Sequence, residues 1–182
     1  MLEKYIKNPK IRGLAEWLLA AALAFLAYLF LSSYVYATAE VSGPSMNPTL
    51  HHGERAIINK LIYIFGAPEK GDIIAFPYPS NPVDKHVKRI IGVPGDYIEV
   101  YDNKLFVNGE LLEDDFSESD LVSVGDVAYP ITVGEDEYFV LGDNRNNSKD
   151  SRSSSVGLIQ RENIIGKIWI RFFPFDKVGF VK

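Results

Sequence analysis

A serine nucleophile needs a fixed position and a group that takes its proton. Ser45 meets the first condition. It lies in Val41-Ser-Gly-Pro-Ser-Met-Asn-Pro-Thr-Leu50, between Pro44 and Pro48 and two residues after Gly43. Each proline locks its own φ, and glycine allows the backbone to approach another chain closely. Alone, such a Gly/Pro/Ser cluster marks only a turn. The chain has no cysteine, which excludes thiol nucleophiles, thiolate metal sites and disulfides together. The proton acceptor must then come from His51, His52 or His86, or from a lysine neutralised by burial.

His51 and His52 follow Ser45 too closely to fold back onto it easily. Lys60, Lys70, Lys104 and Lys149 sit in polar turns, where amines are solvated. Lys88 differs, because it lies in His86-Val-Lys-Arg-Ile-Ile-Gly-Val93. Strand alternation predicts His86, Lys88 and Ile90 on one face and Val87, Arg89 and Ile91 on the other. A lysine inside an apolar strand points into solvent or is buried for a reason. His86 and Lys88 both stand as candidate bases. The third stretch, Leu141-Gly-Asp-Asn-Arg-Asn-Asn-Ser-Lys-Asp-Ser-Arg152, follows an apolar strand with a run of polar residues. It fits either an exposed loop or a buried polar network that supports a site. Asp150 and Arg152 suit an ion pair, and Ser148 suits fixing a neighbouring amine.

The elements that hold these residues begin with an anchor. At 182 residues, 47% hydrophobic and 24% charged, the chain has room for one domain and a membrane segment. Lys4, Lys7, Lys10 and Arg12 against Glu3 make residues 1–12 basic, while the chain as a whole carries −5. The acidic body argues against nucleic acid as a partner. From residue 17 to 37 the only polar side chains are Ser32, Ser33 and tyrosine hydroxyls, about the ~20 residues that cross a bilayer core. Trp17, Tyr34 and Tyr36 sit where interfacial aromatics belong. This predicts a cytoplasmic tail over 1–12, a transmembrane helix over 13–39, and a domain over 40–182 outside the plasma membrane. A cleaved signal peptide competes, since Ala37-Thr38-Ala39 has the small-x-small form. The apolar run is longer than the usual ~7–15 residues of such signals.

The body alternates short apolar runs with turns. Strands are predicted over 55–59, 73–76, 85–93, 97–101, 105–107, 129–133, 138–141 and 164–173. The apolar patch 61–65 fits a core strand or a face resting on the bilayer. Residues 110–120 carry six acids and are predicted to be a solvated loop. No long helical pattern follows the anchor. The expected fold is mainly β, small antiparallel sheets or a partly closed barrel, preceded by one N-terminal transmembrane helix.

Together these stretches resemble the type I signal (leader) peptidases, membrane serine proteases with a Ser–Lys dyad. Gly43-Pro-Ser-Met-Asn-Pro-Thr-Leu50 is similar to the family's nucleophile box, and Gly71-Asp-Ile-Ile-Ala-Phe76 to the strand box after it. Val87-Lys-Arg-Ile-Ile-Gly-Val-Pro-Gly-Asp96 is similar to the lysine box, and residues 142–152 to the last box. The resemblance implies Ser45 as nucleophile and Lys88 as general base. Ser148 would orient the lysine, and Asp143, Arg145, Asp150 and Arg152 would support the loop. Gly43 and Met46 would lie at the oxyanion and substrate positions, with Leu50 and residues 86–88 as further pocket candidates. It also implies removal of signal peptides from secreted precursors after small residues at −1 and −3, with no metal or cofactor. The chain matches the short, single-anchor form.

Two departures stand out. Gly43 replaces a serine that donates to the oxyanion in some relatives, and Asn146 replaces a common aspartate. Two other classes compete. A self-cleaving repressor-type protease shares the dyad but carries DNA-binding helices. A bitopic receptor or scaffold would not need Ser45.

Overall fold

The computed structural model describes residues 8–113 and 123–181. Helix α1 spans Pro9–Phe30 and passes into a π-helical turn over Leu31–Val35. Its start is set by Asn8, whose side chain accepts the Lys10 N–H at 3.0 Å, and by Pro9, which needs no N–H partner at the first helical position. No α1 residue is buried, so its apolar surface is turned outward on every side. By length and composition this helical stretch is long and apolar enough to cross a membrane. Strand β1 then occupies Tyr36–Glu40, so residues 36–39, expected at the end of the transmembrane helix, are a strand instead.

The body, residues 37–182, is a separate compact unit made of two antiparallel sheets. Its elements in order are β2 (Arg55–Asn59), α2 (Ile62–Phe65), β3 (Ile73–Tyr78), β4 (Asn81–Gly92), β5 (Tyr97–Tyr101) and β6 (Lys104–Val107). They continue with β7 (Glu110–Leu111), β8 (Ile131–Thr132), β9 (Glu137–Leu141), β10 (Ile159–Gln160), β11 (Gly166–Phe173) and β12 (Gly179–Phe180). The larger sheet runs β1-β2-β11-β3-β4-β9-β10, with β12 beside β11. The smaller runs β7-β6-β5-β8.

The mainly β expectation holds, and the departures from it are local. Residues 61–65 are not a core strand. Asn59 Oδ1 accepts the N–H groups of Leu61 and Ile62 at 3.0 and 3.3 Å, which starts the short helix α2 and leaves Ile62, Ile64 and Phe65 exposed. Strand β4 begins at Asn81, earlier than the apolar pattern suggests, because β3 continues through Pro77 and supplies it with a partner. The strand at 129–133 shortens to β8. Of the acidic stretch 110–120, residues 114–120 lie outside the described residues.

Three apolar clusters hold the body together. In the first, Ala39 and Val41 meet Val87 of β4 as well as Ile58 and Ile168. The sheet therefore curls until β1 and β4 flank one space without pairing. The second joins Ile74 and Phe76 to Ile90, Tyr138 and Val140. The third packs Ile98 and Leu105 of the small sheet on Ile91, Phe139 and Leu141. Strand β4 is paired unevenly along its length. Residues 81–88 pair with β3 on one side, while β9 joins the other side only from Arg89 onward. Among the described residues the second edge of that half-strand is free.

Candidate active site

Ser45 sits on the loop between β1 and β2. The loop is closed at its base, where Val41 N–H donates to Glu54 O at 2.8 Å and Gly53 N–H donates to Val41 O at 2.9 Å. Within it, Asn47 N–H donates to Pro44 O and Leu50 N–H to Met46 O. Met46 and Leu50 are fully buried in the first cluster, so two apolar anchors grip the backbone on the C-terminal side of the serine. Gly43 adopts φ +83°, a conformation that disfavours other residues. Its N–H donates to His52 Nδ1 at 3.2 Å. Among the described residues nothing accepts the Ser45 N–H.

Lys88 reaches this loop from β4. Its Nζ lies 2.9 Å from Ser45 Oγ and donates to Val87 O at 2.9 Å. The side chain is 3% exposed. Burial pulls its pKa down to about 8, against the pull of the Asp150 and Asp143 carboxylates in the other direction. An amine with that pKa is neutral in about a tenth of molecules at pH 7, and that neutral form can accept a hydroxyl proton.

The polar stretch after β9 is a buried network rather than an exposed loop, and it splints the serine loop. Arg89 holds Asp143 in a bidentate pair, Nε to Oδ1 at 2.9 Å and Nη2 to Oδ2 at 2.8 Å. Thr49 Oγ1 donates to the same carboxylate at 2.5 Å, which ties the Ser45 loop to it. Asp150 takes Arg152 Nε at 2.8 Å and Nη2 at 2.9 Å, and accepts Gly142 N–H at 3.1 Å. Arg152 also donates to the Arg145 carbonyl at 2.7 Å, and Arg145 Nε donates to Gly142 O at 3.2 Å. Asn144 N–H donates to Ser45 O at 3.1 Å. Asp143, Arg145, Asp150 and Arg152 thus lie together around Gly142 and Ser45.

Ser148 is also here. Its Oγ is buried against Gly142 and has no hydrogen-bond partner among the described residues. The polar contacts of Lys88 go to Ser45 and Val87 instead. Arg89 and Thr49 are site residues that sequence reasoning missed. Alternation sets Arg89 on the face away from Lys88, and only the need of Asp143 for a cation hints at it.

Gly142 admits no side chain, because an added Cβ would be driven into Ser148 Oγ and the Ser45 carbonyl oxygen. Gly142→Ala is expected to displace the serine and cut turnover by about 100-fold or more while the protein stays folded, read by kcat and circular dichroism. Arg89→Met leaves Asp143 buried without its guanidinium. It is expected to cost about 3–5 kcal/mol in denaturant unfolding, with Thr49 unable to replace the lost charge.

A groove of about 600 Å³ runs beside the dyad, with 38–46 on one wall and 83–88 on the other. Ser45, Lys88, His86 and Lys149 all line it. Met46 belongs to its floor from within the core, and Leu50 does not reach it.

The family described as "Signal peptidase, peptidase S26" matches residues 14–173. Signal peptidase I P of Bacillus subtilis subsp. natto is 35% identical over 184 residues, covering 97% of this chain and 98% of the relative. Signal peptidase IB of Staphylococcus aureus (strain MRSA252) is 36% identical over 186 residues, covering 93% and 94%. A solved signal peptidase I from Enterococcus faecalis V583 is similar at 34% identity and TM-score 0.48, over 57% of this chain and 97% of that one. The matched span takes in the Ser45 loop, Lys88 and the 142–152 network, and on these grounds the chain belongs to the signal peptidase family, peptidase S26.

Proposed function

We propose that the chain is a membrane-anchored serine endopeptidase that removes N-terminal signal peptides from secretory precursors, with Ser45 as nucleophile and Lys88 as general base. The observation that carries this reading is the 2.9 Å contact between Ser45 Oγ and the buried Lys88 Nζ. Ser45 Oγ attacks the scissile carbonyl as neutral Lys88 accepts its proton. The tetrahedral oxyanion meets the unused Ser45 N–H, and Lys88 returns the proton to the leaving amine. The acyl-enzyme is then hydrolysed by a water that Lys88 deprotonates, and Ser45 is restored.

The precursor binds extended, pairing its backbone with the free edge of β4 across the groove. Small residues at −1 and −3 fit a cleft walled by Ala39, Val41 and Val87. Asp143, Arg145, Asp150 and Arg152 hold the loop that supports the dyad, and Ser148 packs beside Gly142. The basic cluster before α1 puts the N-terminus in the cytoplasm and the body outside.

Incubating the purified protein with a secretory precursor should release a mature chain whose new N-terminus follows a small residue, as read by N-terminal sequencing. An uncut precursor, or a cut unaffected by Ser45→Ala, would defeat the reading. Protease added to intact cells should degrade residues 41–182 and spare 1–12. Protection of the body would reverse the topology.

A further inference from the structure

His86 lines the groove beside the dyad, yet the Ser45–Lys88 chemistry leaves it without a task. Its ring stacks on Tyr78 of β3, with centroids 4.4 Å apart and planes 11° apart. It also tilts against Phe76 at 6.2 Å. The β3–β4 register explains the arrangement, since Phe76 lies opposite His86 and Ile74 opposite Lys88. Two residues apart on one strand, His86 and Lys88 project from the same face. Lys149 Nζ lies 5.3 Å from the Tyr78 ring centroid, at the same groove. His86 Nδ1 is buried and has no hydrogen-bond partner among the described residues. A buried ring nitrogen left unpaired is a cost that an apolar ring would avoid, so the imidazole is not held there by polar bonding.

We propose that the His86–Tyr78 stack is the wall that keeps water away from the Lys88 amine, which makes His86 a positioning residue for the general base. This rests on the reading of Lys88 as that base. Burial first, and the Lys88 charge second, hold the His86 pKa down to about 4, with Lys149 adding to the effect and Asp84 opposing it. The ring is therefore neutral at working pH and serves as an aromatic surface. The charged groups facing Lys88 are Asp150 and Asp143 from the loop after β9, and both favour its protonated form. Ser45 and the neutral His86 add no charge. Burial is the one influence that lowers its proton affinity, and His86 supplies part of that burial.

Removing the ring opens this side of the amine to solvent and raises its proton affinity. The test is kcat/KM against pH, measured on a secretory precursor for the full chain and its His86 variants. The wild-type profile should rise through a midpoint at about 8. His86→Ala should move that midpoint up by about one unit, so that the rate at pH 7 falls about tenfold and recovers by pH 10. His86→Phe restores an aromatic wall without a titrating nitrogen and should return the wild-type midpoint. A His86→Ala loss of equal factor at every pH would overturn the proposal in favour of plain packing. An inactive, folded His86→Phe would overturn it in favour of a chemical role for the imidazole. An active Lys88→Met would instead remove the reading of the base on which the proposal stands.

Discussion

Ser45→Ala, Lys88→Met and Lys88→Arg should each lower precursor cleavage by about a thousandfold or more, with the fold intact by circular dichroism. The first removes the hydroxyl proposed to attack the carbonyl. Lys88→Met keeps an unbranched apolar chain of similar reach but leaves the Ser45 hydroxyl with no acceptor at 2.9 Å. Lys88→Arg is the sharper test. A guanidinium stays protonated at any pH the fold tolerates, so it donates where acceptance is required. It is also larger, in a site where the lysine is 3% exposed. Simple electrostatic stabilisation by a cation would leave Lys88→Arg partly active, whereas general-base chemistry leaves it dead. His86→Ala should remain active at alkaline pH. If it alone were dead at every pH and Lys88→Met were active, histidine would be the base.

Lys88→Met should also melt at a higher temperature than wild type at pH 6–7. The shift from the ordinary 10.5 to about 8 records how much the folded state disfavours the charged amine. At ~1.4 kcal/mol per unit, this burial destabilises the native state by roughly 3 kcal/mol. The sign comes from proton counting. Between about 8 and 10.5 the unfolded chain binds more protons at this lysine than the folded one, so stability rises with pH across that window. Below about 8 the full penalty is present, and above 10.5 it is gone. Methionine has no amine to desolvate and escapes the penalty at every pH. The gap in melting temperature should therefore be widest at pH 6–7 and shrink by pH 10, with both proteins in one detergent. A variant equal to or less stable than wild type throughout would mean that the amine is not buried at a cost.

The Ser45–Lys88 pairing was legible because its signals are local. Two prolines around a serine, and a lysine in an apolar strand, can each be read within ten residues. The N-terminal apolar helix was legible for the same reason, through a run of apolar residues preceded by cations. What the sequence does not reveal depends on pairing between distant segments. Residues 36–39 follow the apolar helix without a proline or glycine to end it, and only the partner β2 makes them a strand. Residues 61–65 look like a strand until Asn59 caps their N–H groups. Arg89 hides on the far side of the strand that presents Lys88, and its role appears only when Asp143 is brought to it. The 142–152 stretch left two choices open, and burial of Asp143, Asp150 and Arg152 decides for the network. The resemblance implies that Ser148 orients the lysine. Its hydroxyl lies instead beside Gly142, with no bond to the amine.

The proposed chemistry turns on Lys88 being a buried amine poised to lose its proton near neutral pH. Nuclear magnetic resonance of protein labelled with 13C at the lysine ε-carbons reports that proton directly, with the Lys88 signal assigned by its absence in Lys88→Met. Titrated in the Ser45→Ala background, where no turnover intrudes, Lys88 should show a midpoint at about 8, below the ordinary lysine value of 10.5. A Lys88 midpoint at the ordinary 10.5 would contradict a buried, depressed general base.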